Sequence, residues 1–406
     1  MFSHWEHQVP EFEYNKELPY FQLLVPTVDT TKYSSIIELL VMNGKPTFLT
    51  GVTGVGKTVV IQNKLFDLKE NKNASPISLT FSAQTESMET QLTIENKLSK
   101  KTKTVLGARP GQRVIIFIDD INMPSLESYG AQPCIELLRQ LVDQGGFYDR
   151  QKLFWKSVED SVLLCCAAPP GGGRNPITPR FIRQFNVICS ARQSDKTMAY
   201  IFGRICEGFF QAWGFSENVK RLGESVVQGT VDIYTRISTD LLPTPARFHY
   251  VFNLRDISKV FQGFLMVKPQ SCNSPEEVAR LWAHENARVF GDRLINSQDR
   301  DWFLNLLIEI SNRYFRLGWT LENVFIKSKI NYGDLMKLEA PVKLYEEIKD
   351  RTKLLKVLED KQEEHNMGSS QTKLSLVFFE DAVEHILRIS RILRQPRGNA
   401  MLIGVG

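Results

Sequence analysis

The run GVTGVGKT at residues 51–58 constrains the fold more than any other part of this sequence. The apolar residues 46–50 precede it, and residues 59–66 follow with the spacing of a helix. A glycine-rich turn of this kind uses backbone conformations that side chains hinder. The order predicts a strand, a phosphate-binding loop and a helix.

The residue types in this loop suit a nucleoside triphosphate. Backbone N–H groups around Gly51, Gly54 and Gly56 can curl around phosphate oxygens, and the following helix points its positive end at the anion. Lys57 supplies charge to the β- and γ-phosphates, and the Thr58 hydroxyl can bind Mg²⁺. The predicted nucleotide-binding residues are Gly51, Val52, Thr53, Gly54, Val55, Gly56, Lys57, Thr58 and Val59.

A second apolar run, RVIIFI at residues 113–118, ends in the acids Asp119 and Asp120. Such a run predicts a strand buried on both faces. At the carboxyl end of a central parallel strand, the two carboxylates would lie beside the phosphate loop. We therefore predict that Asp119 joins Thr58 in binding magnesium and that Asp120 orients water.

Composition narrows the class of protein. With 42% hydrophobic residues among 406, the chain is long enough for two or three compact units. Fifty basic against 46 acidic residues leave a net charge of +4, which predicts no nucleic-acid partner. The six cysteines form no CxxC pair, as in a reduced intracellular protein, and no segment is apolar enough for a membrane span.

The pattern of elements changes near residue 195. Before it, apolar strands alternate with helices, which predicts a parallel sheet. The basic residues 97–103 are interpreted as the solvated end of one of these helices. After it, the apolar spacing is helical. The predicted strands are 46–50, 76–81, 113–118, 161–168 and 186–189, with a hairpin at 147–156. The predicted helices are 31–42, 84–99, 133–143, 197–213, 218–239, 253–266, 275–290, 299–315 and 378–393.

Four segments follow from this pattern. Residues 1–30 form an adenine-side linker, 31–194 an α/β nucleotide-binding part, 195–350 a helical part, and 351–406 a linker with the start of another module. In that last segment, residues 397–406 repeat the order of a strand entering a glycine loop. We expect a fragment of a tandem array, rather than a module that borrows a partner's edge.

Several motifs together resemble the third AAA+ module of an axonemal dynein heavy chain, of inner-arm type, with the start of the fourth. They are TGVTGVGKT, FIDDINMP, YGAQP, PPGGGR, WAHE and the C-terminal LRQPRGNAMLIGVG. The resemblance implies an AAA+ P-loop NTPase: a parallel sheet flanked by helices, followed by an all-α lid.

The same resemblance implies a motor of six modules that uses ATP to drive minus-end-directed motility along ciliary microtubules. The implied partners are neighbouring modules, dynein intermediate and light chains, and microtubules. The implied location is the cytoplasm, the cytoskeleton and the ciliary axoneme, with ATP or ADP and Mg²⁺ bound.

The resemblance also implies residue roles, and at two of these positions the sequence departs from the family pattern. Val25, Pro26 and Thr27 would pack on the adenine. Asp120 stands where active modules place a Glu, and misplacement of a catalytic group by a short distance can cost about 10²-fold in rate. Ala168 stands where a polar sensor would contact the γ-phosphate, and Ala has no side-chain donor. We expect slow hydrolysis.

Three arginines complete the implied site. Arg183 matches the finger that serves the preceding module's nucleotide, with Arg180 as the alternative. Arg255 matches a second sensor that reaches the γ-phosphate from the lid.

Three functions stay open at this point. The chain is a regulatory module that binds ATP or ADP and hydrolyses slowly, an independently competent ATPase, or a purely structural ring segment. A helicase or clamp loader is disfavoured, because no basic stripe or stacking aromatics accompany the loop.

Overall fold

The computed structural model describes residues 3–326, 329–337, 343–368, 373–396 and 398–402. The chain divides into two compact units. The first joins Met1–Pro10 to Pro26–Gln193, and the second joins Glu11–Val25 to Ser194–Gly406.

The first unit is an α/β structure. Its elements in chain order are α1 (Val28–Met42), β1 (Thr47–Thr50), α2 (Lys57–Asn71), β2 (Ala74–Thr80), α3 (Ser87–Lys97), β3 (Ser99–Lys100), β4 (Val105–Gly107), β5 (Arg113–Asp119), α4 (Pro133–Gln144), β6 (Gly146–Tyr148), β7 (Trp155–Glu159), β8 (Ser161–Ala167), α5 (Pro179–Ile182) and β9 (Asn186–Cys189), after a 3₁₀ turn at Trp5–Gln8. Five of the strands form a parallel sheet in the order β2-β5-β8-β1-β9, which confirms the predicted fold class.

The register of this sheet places the ends of its strands at one edge. Thr50 lies opposite Ala167 and Cys189, and Ile118 lies opposite Cys165. Ligands bind at the carboxyl edge of such sheets. The glycine loop after β1 and the acids at the end of β5 therefore leave the sheet on the same side.

Alternate residues of the strands enter two different cores. In β5, Ile116 and Ile118 pack in a cluster with residues of α4, whereas Ile115 and Phe117 pack in a cluster with residues of α1 and α2. Each fully buried side chain of this size contributes about 1.5–3 kcal/mol relative to an exposed one. Burial on both faces explains why the strand sequence is continuously apolar.

A second sheet corrects one prediction. The helix expected over 84–99 ends at Lys97, and the basic residues after it begin the sheet β3-β4-β7-β6. Within it Lys100 pairs with Leu106, and just after β3 Lys101 Nζ lies 2.5 Å from Asp160 Oδ2, which follows β7. The hairpin expected over 147–156 is confirmed by the antiparallel pairing of β6 with β7.

The second unit is mainly helical. Its elements are a 3₁₀ turn (Tyr20–Gln22), α6 (Asp195–Trp213), α7 (Glu217–Lys220), α8 (Gly223–Asp240), a 3₁₀ turn (Pro245–Arg247), α9 (Leu254–Phe264), α10 (Pro275–Val289), a 3₁₀ turn (Gly291–Arg293), α11 (Ser297–Phe315), a π-helical turn (Glu322–Ile326), β10 (Tyr332–Gly333), a 3₁₀ turn (Leu335–Lys337), β11 (Glu346–Glu347), α12 (Arg351–Gly368) and α13 (Glu380–Arg394). The prediction of a single helix over 218–239 is wrong, because this region is divided into α7 and α8. Helix α12 was not expected, since it buries only Leu354 and its sequence carries little apolar pattern.

The helical core is built on aromatic and capping contacts. Phe202 and Phe261 stack with their ring centroids 4.5 Å apart, and Trp282 Nε1 donates to Thr230 Oγ1 at 2.8 Å. Side chains of Ser274 and Asn296 cap α10 and α11 by accepting backbone N–H bonds. These caps fix where the helices begin.

Helix α13 is fastened to the rest of this unit by three arginines. Arg391 pairs with the fully buried Glu285 on α10, which also accepts a bond from Tyr345 at 2.8 Å. Arg388 lies 3.2 Å from Asp292, and Arg394 lies 2.7 Å from Asp334. We refer to these three as the arginine row of α13.

The second glycine loop predicted at the C-terminus is only partly covered. Residues 398–402 are not in a strand, and residues 397 and 403–406 lie outside the described residues. Among the residues described, no helix has the length and apolar character needed to cross a membrane.

Candidate nucleotide-binding site

The backbone of the glycine loop has the form that phosphate binding requires. Gly54 and Gly56 have φ values of 84° and 88°, in the left-handed region. Gly56 caps α2 without a side-chain hydrogen bond, so the first N–H groups of this 15-residue helix have no side chain as their cap. Gly51 meets a different need, because a Cβ there would run into the Ser190 carbonyl oxygen. The loop therefore fits a nucleotide phosphate.

The side chain of Lys57 is hydrogen-bonded to its own glycine loop. Its Nζ donates to the carbonyl oxygens of Gly51 at 2.8 Å and Val52 at 2.9 Å. Partial burial lowers the pKa of this ammonium, and the nearby Asp120 and Asp119 act in the opposite direction. Both acids therefore lie close enough to Lys57 to act on its charge.

Asp119 is the acid at the end of β5. Its Oδ1 accepts the Asp120 backbone N–H at 3.0 Å and the Cys166 thiol at 2.7 Å. Carboxylate and hydroxyl oxygens are ligands that Mg²⁺ prefers, so Asp119 and the half-buried Thr58 fit the ion by their chemistry. Cys166 was missed by the sequence analysis, because a thiol in an apolar run carries no signal for such a contact.

Asp120 leaves the strand with an unusual backbone. Its φ is 50°, a conformation in which Asp and Asn are enriched among residues other than Gly. Its side chain is 40% exposed, and its Oδ1 lies 3.8 Å from Nη2 of Arg174. The carboxylate therefore faces both water and a cation.

A set of asparagine contacts joins the loop after β8 to the loop after β5. Asn122 Nδ2 donates to the Ala168 carbonyl at 2.8 Å, and the Asn175 N–H donates to the Asn122 carbonyl at 2.9 Å. Asn175 Nδ2 also donates to the Pro124 carbonyl at 2.8 Å. The sequence motifs that contain the two asparagines do not indicate these roles.

The remaining predicted site residues lie in different parts of the structure. Ala168 is buried, and its carbonyl is engaged by Asn122. Arg180 lies in the short helix α5 and Arg183 caps its C-terminus, both with exposed side chains. Arg255 is the exposed second residue of α9, in the second unit.

The adenine-side residues fall on both sides of a unit boundary. Val25 is buried in the hydrophobic cluster of the helical unit. Pro26 begins the long segment of the first unit, where Thr27 caps α1 through reciprocal bonds with Thr30. Their roles at a nucleotide base stay predictions.

Family models match three parts of the chain. One described as a P-loop containing dynein motor region matches residues 12–192, and one described as an AAA+ lid domain matches residues 226–324. A third, described as P-loop containing dynein motor region D4, matches residues 374–406.

Curated relatives agree with these matches. Dynein axonemal heavy chain 6 of Homo sapiens is 46% identical over 404 residues, covering 99% of this chain and 10% of that protein. Dynein axonemal heavy chain 1 of Mus musculus is 43% identical over 413 residues, covering 99% of this chain and 10% of that protein. Dynein axonemal heavy chain 2 of Mus musculus is 38% identical over 404 residues, covering 99% of this chain and 9% of that protein. The chain thus spans about a tenth of the length of these relatives, and it belongs to the AAA+ modules of the dynein heavy-chain motor region.

Proposed function

We propose that this chain is a regulatory ATP-binding module of an axonemal dynein motor, which binds ATP or ADP with Mg²⁺ and hydrolyses slowly. The observation that carries the proposal is Lys57, anchored to the carbonyls of its own glycine loop beside Asp119 and Asp120. Binding follows from the loop, and the regulatory role follows from the departures at Asp120 and Ala168.

Each residue has a distinct task in this proposal. The loop N–H groups and Lys57 hold the phosphates, while Thr58 and Asp119 hold Mg²⁺, which when bound neutralises phosphate charge. Asp120 orients water, but its side chain is one methylene shorter than Glu. Since Ala168 has no side-chain donor, this site offers less help to the γ-phosphate than a site with an amide there.

The roles of the outlying residues depend on other parts of the motor. Arg183, with Arg180 as the alternative, would serve the nucleotide of a neighbouring module, which its exposed position permits. Arg255 would act as the second sensor, and Val25, Pro26 and Thr27 would pack on the adenine. Residues 397–406 would begin the next module.

The setting of the whole protein is also proposed. The names of the relatives, which are axonemal dynein heavy chains, support a cytoskeletal location in the ciliary axoneme. Minus-end-directed motility along microtubules, with intermediate and light chains as partners, is part of the proposal and follows from the family resemblance. The match of residues 374–406 to region D4 supports placing the preceding module third. An inner-arm subtype remains part of the proposal.

An equilibrium titration with a fluorescent ATP analogue and Mg²⁺ tests the binding step. We expect micromolar or tighter binding that is lost in Lys57→Ala. Lys69→Ala is the matched control, because Lys69 is an exposed lysine on the same helix whose nearest acid, Glu70, is 3.9 Å away. Equal binding by the Lys57→Ala variant would refute the proposal, and negligible binding by the unaltered chain would favour the structural alternative.

A further inference from the structure

We propose that Arg174 is the γ-phosphate contact of this site and that it exchanges its pairing with Asp120 for the terminal phosphate of a triphosphate. The inference rests on the proposed nucleotide-binding function and adds how the site distinguishes a triphosphate from a diphosphate. It assigns a ligand-binding role to a residue that the sequence analysis did not place in the site.

The guanidinium of Arg174 is not fully hydrogen-bonded in the structure. Its Nη2 is 3.8 Å from Asp120 Oδ1, beyond hydrogen-bond distance, although the side chain is only 22% exposed. Its Nε is buried and has no hydrogen-bond partner among the described residues. Buried donors are normally paired, so this arginine is arranged for an additional acceptor.

The loop that carries Arg174 is shaped by glycine and fixed at both ends. Backbone bonds join Gly171 and Arg174 in both directions, at 3.0 and 3.2 Å. The three glycines at 171–173 have φ values of 122°, 59° and 84°, and a Cβ on any of them would meet nothing within 4 Å. Glycine is therefore required here by the backbone conformation and not by crowding from neighbouring atoms. Asn122 binds Ala168 at one end of the loop and Asn175 at the other.

Two cations, Lys57 and Arg174, lie near Asp120. The charges of Asp119, Asp120 and Arg174 all act on Lys57, so these groups converge on one region. A γ-phosphate adds negative charge there, and the planar fork of an arginine suits phosphate oxygens. Because Arg174 and Asp120 are 3.8 Å apart, their ion pair is weak, and Arg174 can readily exchange it for a contact with the phosphate.

This arrangement compensates for Ala168. The alanine has no donor to offer, and its carbonyl is already bound by Asn122. Arg174 stands six positions further along the same loop and brings the missing donors. When its guanidinium moves to the phosphate, the Asp120 carboxylate loses its cation and faces water alone.

The test measures binding rather than turnover. Affinities of a non-hydrolysable ATP analogue and of ADP, each with Mg²⁺, are compared for the unaltered chain, Arg174→Ala and Arg174→Gln. We expect about 10- to 100-fold weaker binding of the triphosphate analogue and less than about threefold change for ADP. Arg109→Ala, an exposed arginine of the same unit, is the matched control.

A double-mutant cycle separates exchange from simple charge effects. If Asp120 competes with the phosphate for Arg174, Asp120→Asn should tighten triphosphate binding, and this gain should vanish in the Arg174→Ala background. A gain that persists there would mean only that a negative charge was removed, and would overturn the exchange.

The remaining outcomes also decide the matter. Equal losses for ADP and the triphosphate analogue in Arg174→Gln, or a lowered Tm, would show a structural role and refute the inference. Unchanged affinities with tight binding by the unaltered chain would refute the inference alone. Failure of the unaltered chain to bind either nucleotide would refute the proposed function together with it.

Discussion

The thiol of Cys166 donates a hydrogen bond to Asp119 Oδ1 across 2.7 Å. Burial, followed by the charge of Asp119, raises the pKa of this thiol, so it stays protonated and remains a donor at neutral pH. Outer groups that orient a metal-binding carboxylate affect ion affinity strongly.

Replacing this thiol should weaken magnesium binding at the site. We expect Cys166→Ala to raise the Mg²⁺ concentration needed for half-maximal nucleotide binding by about tenfold, and Cys166→Ser, which keeps a donor, to raise it much less. A magnesium titration at fixed nucleotide measures this. Cys165→Ala is the control, because Cys165 packs in the cluster on the other face of β8. An equal effect of Cys165→Ala would contradict the assigned contact.

Asp120 should limit turnover without controlling the affinity for ADP. We expect Asp120→Asn to lower the already slow ATPase rate by at least about tenfold while ADP affinity stays within about threefold, because a general base contributes about 10²–10⁴-fold. Single-turnover phosphate release and ADP titration separate the two effects. A rate unchanged by the substitution would exclude Asp120 as the water-orienting acid and the competent-ATPase alternative with it.

Two helical glycines should respond in opposite ways to alanine. A Cβ at Gly263 in α9 would collide with the Glu285 carboxylate and the Arg391 guanidinium, so Gly263→Ala should lower the free energy of unfolding by about 3 kcal/mol. Gly203 lies inside α6, where a Cβ would meet nothing within 4 Å, so Gly203→Ala should add about 0.5–1 kcal/mol. Urea unfolding measures both, and a stabilised Gly263→Ala variant would contradict the packing described.

His284 should make the helical unit sensitive to mild acid. It is buried, its Nδ1 lies 3.2 Å from the Ile330 carbonyl, and its Nε2 has no hydrogen-bond partner among the described residues. Burial, and then the charges of Arg288, Arg391 and Arg388, hold its pKa well below 6.5, although Glu285 lies 4.0 Å away.

The sign of this dependence follows from linkage. Above pH 6.5 the histidine is neutral in both states, and below it only the unfolded chain gains the proton, so stability falls as the pH falls. The slope is at most about 1.4 kcal/mol per pH unit. Urea unfolding from pH 7 to 5 should show this loss, and His284→Asn should flatten it. The exposed His365→Asn is the control and should leave the slope unchanged.

The sequence predicted those parts of the fold whose signals are local. Strand β9 occupies the predicted residues, and α2 contains the predicted helical residues 59–66 but starts two residues earlier, at Lys57. Apolar runs and glycine turns mark such elements directly. The break between α7 and α8 was missed, since the apolar spacing continues across it.

The contacts around the site depend on tertiary structure instead. Asn175 bonds to Asn122, and Arg174 lies near Asp120, because two loops leave neighbouring strands at one edge. Nothing in the spacing of these residues along the chain indicates these contacts. Cys166 reaches Asp119 only through the register of β8 with β5. A sequence pattern can identify the loop that holds phosphate, but the groups that tune it come from pairing between strands.

The arginine row of α13 has a mechanical consequence. Steps of three residues on a helix turn the side-chain direction by about 60° each, so Arg388, Arg391 and Arg394 sweep an arc rather than a line. Each of these arginines pairs with a different acid: Asp292, Glu285 and Asp334, respectively. Rotation of α13 about its axis, or sliding along it, would break at least one of the three pairs, so together they fix both the rotational setting and the axial position of this helix against its acids.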